Sequence, residues 1–286
     1  MARRGRAARQ AVRTIAIINR KGGCGKTTTA VGLAAGFGEL GRRTLLIDLD
    51  PQGSASSWIG PGPTAERDLF DAFVGTRELS ALAIPSRAVG VDLIPASPWL
   101  VTAERTLQVD LGLGLIRALE RIPQLWDVVI VDCPPTLGYL ASSALCGCRE
   151  AIVPTEPHQL DLSGVDDVLA EMDRVRERLN PRLILTAIVV SRMSRTNHAR
   201  GVMGDLTWRH PGLVIQPPIR ESIRVPEASA AGLPVTVHAP SSAVAEDFRA
   251  VAAEIDRRDP DRPADDPPTT HGLRRIVERL TLVGKR

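Results

Sequence analysis

Short apolar runs alternate with longer segments of helical periodicity along most of the chain. The runs lack the in-and-out alternation of half-exposed strands, which is typical of strands that helices bury on both faces. They predict strands over 14–18, 44–47, 91–94, 128–131, 151–153, 183–190 and 213–215. Helical periodicity predicts helices over 27–40, 109–122, 138–146, 161–179, 199–209 and 242–256. The alternation predicts one doubly wound α/β domain, with a mostly parallel sheet and helices on both faces.

The beginning of the chain departs from this pattern. Residues 1–13 hold five arginines and no acidic residue, and we expect residues 1–12 to form a basic, disordered tail before a domain over 13–257. An organelle transit peptide has a similar composition, whereas a secretory signal would need an apolar segment that is absent here. The arginines could also contact a DNA backbone or a protein partner, and these alternatives stay open.

The end of the chain departs from it too. Residues 258–270 are rich in proline and aspartate, which predicts a disordered linker. Residues 271–286 are a candidate amphipathic helix, in which Leu273, Ile276, Val277 and Leu280 recur at helical spacing among basic residues. Such a segment could dock on its own domain or on a protein, lie on an anionic membrane, or stay disordered.

Composition narrows the class of protein. With 286 residues, 43% hydrophobic and 24% charged, the chain is typical of globular proteins, and no apolar run is long enough to span a membrane. Cys24, Cys133, Cys146 and Cys148 do not have the spacing of metal ligands. We therefore expect buried, reduced thiols in a cytoplasmic protein.

The clearest chemistry lies between the first predicted strand and the first predicted helix. The segment consists of Lys21, Gly22, Gly23, Cys24, Gly25, Lys26, Thr27 and Thr28. Glycines let backbone N–H groups turn towards phosphate oxygens, and the helix that follows adds its positive end. Lys26 is then expected to meet the β- and γ-phosphates and the Thr27 hydroxyl to coordinate Mg²⁺. A nicotinamide dinucleotide loop is disfavoured, because Thr28 stands where its third glycine would be.

Three aspartates follow predicted strands, at the edge where open parallel sheets bind ligands. Asp132 ends the run over 128–131, and its simplest reading is a cap of a loop or helix. Asp48 and Asp50 lie two residues apart near another strand end, so we expect their side chains to point the same way. Two like charges on one side would need a cation or a water network between them.

Together these residues resemble the ParA/MinD family of ATPases. The segment over 21–28 is similar to the family's deviant Walker A loop, in which Lys21 is the additional lysine and Arg20 stands at the usual first glycine. The similarity continues over 46–53 and 129–135. The segments over 194–197 and 218–228 resemble the chromosome and plasmid partition branch, and the resemblance covers about residues 13–257.

The resemblance implies roles for individual residues. Lys21 would cross a two-fold interface to the partner's nucleotide, so that ATP joins a homodimer. Asp48 and Asp132 would support the Mg²⁺ bound at Thr27, and Asp50 would position the attacking water, so that Lys21, Lys26 and Asp50 form the catalytic set. Two further residues would lie near adenine, namely Met193 and Pro218.

A basic stretch suggests a nucleic-acid partner. Residues 174–224 contain ten arginines, no lysine and three acids. For the arginines over 174–178 a solvated helix face is the simplest interpretation. The resemblance implies that Arg195 and Arg224 contact the DNA backbone, and the absence of aromatic neighbours favours duplex over single-stranded DNA. About two to four phosphate contacts per subunit would give a dimer a log–log salt slope near −4 to −7.

The resemblance therefore implies a Mg-ATP-dependent partition ATPase on the nucleoid in the cytoplasm. It would dimerise on ATP, bind double-stranded DNA non-specifically, and hydrolyse ATP slowly until stimulated by a ParB-like partner, with a chromosome, plasmid or protein assembly as cargo. A MinD-like positioning ATPase, bound to a membrane through residues 273–286, is the alternative. A metabolic enzyme or an iron–sulfur reductase of the same fold would need a substrate site or a cysteine spacing that we do not find.

Overall fold

The computed structural model describes residues 12–63, 69–101, 110–122, 124–158 and 162–260. Three predicted segments lie wholly or mostly outside the described residues. They are the tail over 1–12, of which only residue 12 is described, the linker over 258–270, of which only 258–260 are described, and the candidate helix over 271–286. Their predicted structures and roles stay predictions.

Strands of the described part form one sheet. They are β1 (Arg13–Ile17), β2 (Thr44–Asp48), β3 (Ile84–Pro85), β4 (Val91–Ile94), β5 (Val128–Asp132), β6 (Glu150–Thr155) and β7 (Ile184–Val190). Their order across the sheet is β3-β4-β2-β5-β1-β6-β7, and every neighbouring pair is parallel except β3 with β4. Every residue of β1, β2, β5 and β6 is buried, which explains the apolar runs inside these strands, although charged residues stand at one end of each strand. The predicted doubly wound α/β fold is confirmed.

Helices cover both faces of this sheet. They are α1 (Lys26–Glu39), α2 (Ser54–Ile59), α3 (Leu69–Phe73), α4 (Asp110–Glu120), α5 (Tyr139–Gly147), α6 (Leu162–Arg178), α7 (Asn197–Arg209), α8 (Arg224–Ala230), α9 (Val235–His238) and α10 (Ala243–Arg257). One hydrophobic cluster lies under α4 to α7, and a second lies under α1 and α10. In the second cluster, α1 and α10 pack closely at Gly32, where a Cβ would lie only 2.2 Å from the Phe248 ring. The close approach therefore requires glycine at this position.

Three parts of the fold differ from the sequence prediction, and one of them is the pair of short helices α8 and α9, which was not predicted. The predicted strand over 213–215 is wrong, since only an isolated bridge joins Val214 to Ile188. Pro217 and Pro218 follow after one intervening residue and have no N–H to extend a ladder, which explains the short pairing. The elements between β2 and β4, namely α2, α3, a 3₁₀ turn over Leu79–Leu82 and β3, are too short to show periodicity and were not predicted.

Arg13 belongs to the sheet and not to a solvated tail. Its guanidinium is buried and pairs with both carboxylate oxygens of Glu150 on β6, at 2.6 and 2.7 Å. It also donates to the carbonyl of Ile255 on α10 at 2.9 Å. Arg13 is therefore unavailable to a DNA backbone, because a partner 137 positions away in the sequence holds it inside the protein.

No helix among the described residues combines the length and the apolar character that a transmembrane span requires.

Candidate functional site: a phosphate loop beside three aspartates

The fold brings the carboxyl ends of β1, β2 and β5 together. In the strand register, Asp132 of β5 lies beside Ile17 of β1 on one side and Asp48 of β2 on the other. The loop over residues 19–25 leaves β1 at the same edge and leads into α1. The predicted phosphate loop and two of the predicted acids therefore meet at one place.

The loop backbone has the shape of an anion cradle. Gly23 and Gly25 adopt left-handed conformations with φ of 78° and 85°, which favour glycine. A Cβ on Gly22 or Gly23 would meet no described atom within 4 Å, so the space beside them is open. A Cβ on Gly25 would lie 2.9 Å from the hydroxyl of Ser191, so this position needs glycine for its backbone and for its neighbour.

Lys26 and the start of α1 supply positive charge to this cradle. The Lys26 side chain is only 7% exposed, and its ammonium donates to the carbonyl of Lys21 at 2.9 Å. No side chain caps the N-terminus of α1, where Gly25 is the cap residue. Because the first N–H groups of a helix need acceptors and carry the positive end of its dipole, the loop is suited to bind phosphate.

Two buried polar residues that the sequence reasoning missed hold the loop in place. Asn19 donates to the carbonyl of Pro154 at 2.7 Å and accepts from the backbone N–H of Lys21 at 3.1 Å. Ser191 donates to the carbonyl of Cys24 at 3.3 Å. Each lies within two residues of the end of a buried strand. A polar residue at that position is the sequence feature that could have identified them.

Asp132 is a buried carboxylate that lacks a normal partner. It is fully buried, and neither of its oxygens accepts a hydrogen bond from the described residues. Burial raises its pKa well above the usual range, and the charge of Asp48 raises the pKa further. The nearby Thr27 hydroxyl and the Lys26 ammonium act in the opposite direction. A buried anion in these surroundings is stabilised by a cation, so the residues fit a metal ion.

Both carboxylate oxygens of Asp48 accept hydrogen bonds, and Oδ1 accepts from the backbone N–H of Asp50 at 3.3 Å. The Oδ2 of Asp48 accepts from the backbone N–H and the hydroxyl of Ser56 at 2.7 and 2.6 Å, at the start of α2. Burial raises the pKa of Asp48 to about 6, although both Ser56 hydrogen bonds lower it. Ser56 was not predicted, because its hydroxyl reaches Asp48 only when α2 folds back over the end of β2.

Asp50 occupies a turn and not the strand. Since β2 ends at Asp48, strand alternation does not extend to Asp50, and the prediction that the two side chains share a direction stays a prediction. The Asp50 side chain accepts from the backbone N–H of Gln52 at 3.0 Å, and the residue is 8% exposed. Its charge still raises the pKa of Asp48 and of Asp132, so the turn keeps the three acids close.

These acids suit magnesium better than a cage made of protein ligands. The described residues contain no group of three or more His, Cys, Asp or Glu side chains that could hold a metal by themselves. Mg²⁺ usually binds one or two carboxylates together with phosphate oxygens and water. The Thr27 hydroxyl and the carboxylates of Asp48 and Asp132 would hold it, and bound Mg²⁺ would neutralise charge on the phosphates.

The residues predicted to lie near adenine occupy neighbouring segments beyond β7. The Met193 N–H donates to the carbonyl of Ile219 at 3.0 Å, which places Met193 close to the segment that contains Pro218. Both side chains are partly buried. The structure therefore brings the two together, and their contact with a base stays a prediction.

The two predicted DNA-binding arginines are both exposed but differ in their partners. Arg195 precedes α7 and forms no ion pair with a described residue. Arg224 was expected in a loop, whereas it is the first residue of α8 and pairs with Glu227 at 2.8 Å. An exposed pair one helical turn apart is weak, so DNA phosphates could replace the Glu227 carboxylate at low cost.

Comparison with known proteins is consistent with this geometry. A family model described as an AAA domain matches residues 12–185. The chromosome-partitioning ATPase Soj of Thermus thermophilus is 39% identical over 248 residues, which are 86% of this chain and 96% of that protein. The sporulation initiation inhibitor protein Soj of Bacillus subtilis is 33% identical over 84% of this chain and 97% of that protein.

A solved structure with bound nucleotide is also similar. It is cobyrinic acid a,c-diamide synthase from Mycobacterium smegmatis with ADP and magnesium, 33% identical to this chain with a TM-score of 0.73. The alignment covers 84% of this chain and 92% of that chain.

Proposed function

The chain belongs to the ParA/MinD family of ATPases, and on this premise we propose that it is a DNA-bound partition motor that ATP switches from monomer to dimer. As a member of the family it binds ATP with Mg²⁺ and hydrolyses it in a partitioning role. The proposal adds a homodimer, non-specific binding to duplex DNA and stimulation by a ParB-like partner. The observation that carries it is the open phosphate cradle, which combines an exposed Lys21 with a buried Lys26.

We propose that hydrolysis depends on position and charge more than on a strong base. Lys26 and the start of α1 would bind the phosphates, and Thr27, Asp48 and Asp132 would hold Mg²⁺. Asp50, which is the most exposed of the three acids, would orient the attacking water. Phosphoryl transfer needs little more than positioning and charge neutralisation, so we expect slow turnover in the isolated protein.

Lys21 would convert nucleotide binding into dimerisation. Its carbonyl is fixed by the Lys26 ammonium, while its side chain is exposed at the mouth of the loop. A long, cationic side chain at this position can meet a triphosphate bound to a second subunit. Two such contacts related by a two-fold axis would close a dimer around two nucleotides.

Dimerisation would in turn control DNA affinity. Arg195 and Arg224 bind phosphate without reading the base sequence, and a dimer presents two copies of each. The salt slope of binding scales with the number of phosphate contacts, so joining two subunits would about double it. Replacing both arginines with glutamate should abolish DNA binding and leave nucleotide affinity unchanged.

Lys21→Ala tests the switch. We expect the variant to bind ATP nearly as well as the parent protein and to stay monomeric in light scattering with a non-hydrolysable ATP analogue and Mg²⁺. Arg117→Gln is a matched control, because it removes one exposed charge on α4 and should dimerise normally. A full dimer of Lys21→Ala under saturating analogue would contradict the proposal.

A metabolic amide synthase of the same fold predicts a different substrate dependence. Its ATP turnover would require a carboxylic acid and an amine donor. The partition ATPase should instead turn over ATP alone, and faster with DNA and its partner protein. Measuring phosphate release under both conditions distinguishes the two activities.

A further inference from the structure

The basic stretch over 174–224 divides into neutralised and available arginines. On α6, Arg174 pairs with Glu171 at 2.6 Å and Arg176 pairs with Asp173 at 2.7 Å. Around α7, however, Arg195, Arg200 and Arg209 are all exposed and form no ion pair with any described residue. Arg178 and Arg182, at and just after the end of α6, are also exposed without a described ion pair, so three of the five available arginines of this stretch lie around α7.

The outward face of α7 has an unusual composition. It consists of Asn197, Gly201, Gly204 and Trp208, which recur at helical spacing opposite the buried Val202 and Leu206. All four are exposed, and a Cβ on either glycine would meet nothing within 4 Å. Each glycine costs the helix about 0.8–1.0 kcal/mol relative to alanine, and no contact within the described protein requires it.

Arg200 and Arg209 lie on the two flanks of this glycine face. At 100° per residue they are about 180° apart around the helix, and at 1.5 Å per residue they are about 13 Å apart along it. Trp208, at the end of the face, is 84% exposed, whereas most tryptophans are largely buried. Asp205 is the one acidic residue within α7, so the helix has a net positive surface.

We propose that the outward face of α7 is part of the duplex-DNA contact surface, with Arg200 and Arg209 binding phosphates on either side of the helix. The inference rests on the proposed DNA binding and extends it from Arg195 along the whole helix. The bare glycines let the duplex approach the helix backbone, and the Trp208 ring packs against the sugar–phosphate backbone at the end of the face. Charge complementarity favours DNA, because two separate cationic flanks match an extended polyanion.

The salt dependence of DNA binding measures the contribution of each arginine. Each phosphate contact adds about 0.9 to the log–log salt slope, so one arginine in both subunits adds about 1.8. Arg200→Gln and Arg209→Gln should each reduce the slope of the ATP-analogue-bound dimer by about this amount. If the contact is purely electrostatic, affinity at 0.1 M salt should fall roughly 60-fold. Arg174→Gln and Arg117→Gln remove the same charge elsewhere and should leave the slope unchanged.

The Gly204→Gln variant tests whether the duplex lies close to the glycine face of α7. The new side chain has open space and a better helix propensity, so the thermal midpoint should stay the same or rise by a few degrees. Affinity for a duplex of about 30 base pairs should nevertheless fall, because the side chain keeps the duplex away from the helix. A stable variant with unchanged DNA affinity would overturn the inference.

Trp208 supplies a spectroscopic signal for the same surface. Trp58 and Trp126 are 7% and 5% exposed, so acrylamide quenching reports mainly on Trp208 and on Trp99, which is 53% exposed. Duplex DNA should protect the parent protein and the Trp99→Phe variant from quenching, and Trp208→Phe should lose that protection. DNA binding without protection of Trp208 would refute the contact.

The outcomes separate this inference from the function on which it rests. A parent protein that fails to bind duplex DNA with an ATP analogue and Mg²⁺ refutes the proposed function itself. If the parent protein binds and Arg195→Gln weakens binding, unchanged slopes in Arg200→Gln and Arg209→Gln refute only the extension along α7. In that case the surface would serve another partner, such as an acidic protein.

Discussion

Replacing Asp132 with asparagine should stabilise the protein without ligands and abolish its response to Mg-ATP. In the parent protein, a fully buried carboxylate has no hydrogen-bond partner among the described residues, and Asp48 lies beside it across the β2–β5 pair. Leaving a buried polar group unsatisfied costs about 1–3 kcal/mol, and more for a charge. Because asparagine keeps polar atoms, we expect a gain of about 1–2 kcal/mol near neutral pH. For a domain of this size, that raises the thermal midpoint by about 2–8 °C.

The pH dependence of this gain has a definite sign. Burial raises the folded-state pKa of Asp132, so the parent protein binds a proton more tightly when folded than when unfolded. The cost of the carboxylate is therefore absent below the unfolded pKa of about 3.9 and grows as pH rises towards the folded value. The stabilisation by Asp132→Asn should be largest at neutral pH and should shrink as pH approaches 4.

Scanning calorimetry with EDTA, and again with Mg-ATP, measures both effects. A ligand at 100 times its Kd stabilises a protein by about 2.7 kcal/mol, and the parent protein should show a shift of that order. The Asp132→Asn variant should lose most of this shift, because a neutral amide is a poor substitute for a carboxylate opposite Mg²⁺. A variant that is less stable than the parent in EDTA would refute the inference that the buried Asp132 carboxylate destabilises the protein when no metal ion is bound.

Three further predictions concern the fold and the phosphate loop. Arg13→Met should cost about 3–5 kcal/mol in urea unfolding, because Glu150 stays buried without its partner, and the double variant with Glu150→Gln should recover most of the loss. Gly25→Ala should weaken ATP binding at least tenfold in calorimetry, since a left-handed backbone costs alanine about 1–2 kcal/mol and its Cβ would meet Ser191. Asp50→Ala should abolish phosphate release and leave a dimer that persists with ATP in light scattering. Rapid hydrolysis by that variant would exclude Asp50 as the residue that orients water.

Features set by short stretches of sequence were predictable. The glycines and lysines over 21–28 specify a tight turn and a cationic loop locally, whatever the rest of the chain does. Asp132 directly follows buried β-branched residues, so its position at a strand end follows from the same pattern. The continuous apolar runs of β1, β2 and β5 predicted a parallel sheet, because only a sheet covered on both faces buries every residue of a strand.

Contacts between distant segments were not predictable. The Ser56 hydroxyl reaches Asp48 only through the fold of α2, and Ser191 reaches the phosphate loop from the end of β7, 167 positions from Cys24. The sequence analysis counted Arg13 among the arginines that could contact DNA or a protein partner, whereas Glu150 removes it from solvent. The sequence gives the charged residues, but only the tertiary structure gives the ion pairs that neutralise some of them.

Pairing therefore separates structural charges from those available for function. The buried pair of Arg13 with Glu150 satisfies both partners and locks β1 against β6. Asp132 is buried without such a partner, and burying this carboxylate costs free energy. We expect a cation to offset that cost when nucleotide is bound. The unpaired arginines of α7 cost little, because water solvates them, and they keep their full charge for a polyanion. Mg²⁺ bound together with nucleotide would offset the first imbalance within one subunit, and DNA would neutralise the second across two subunits. On the proposed function, a local metal site would in this way control a surface that contains none of its ligands.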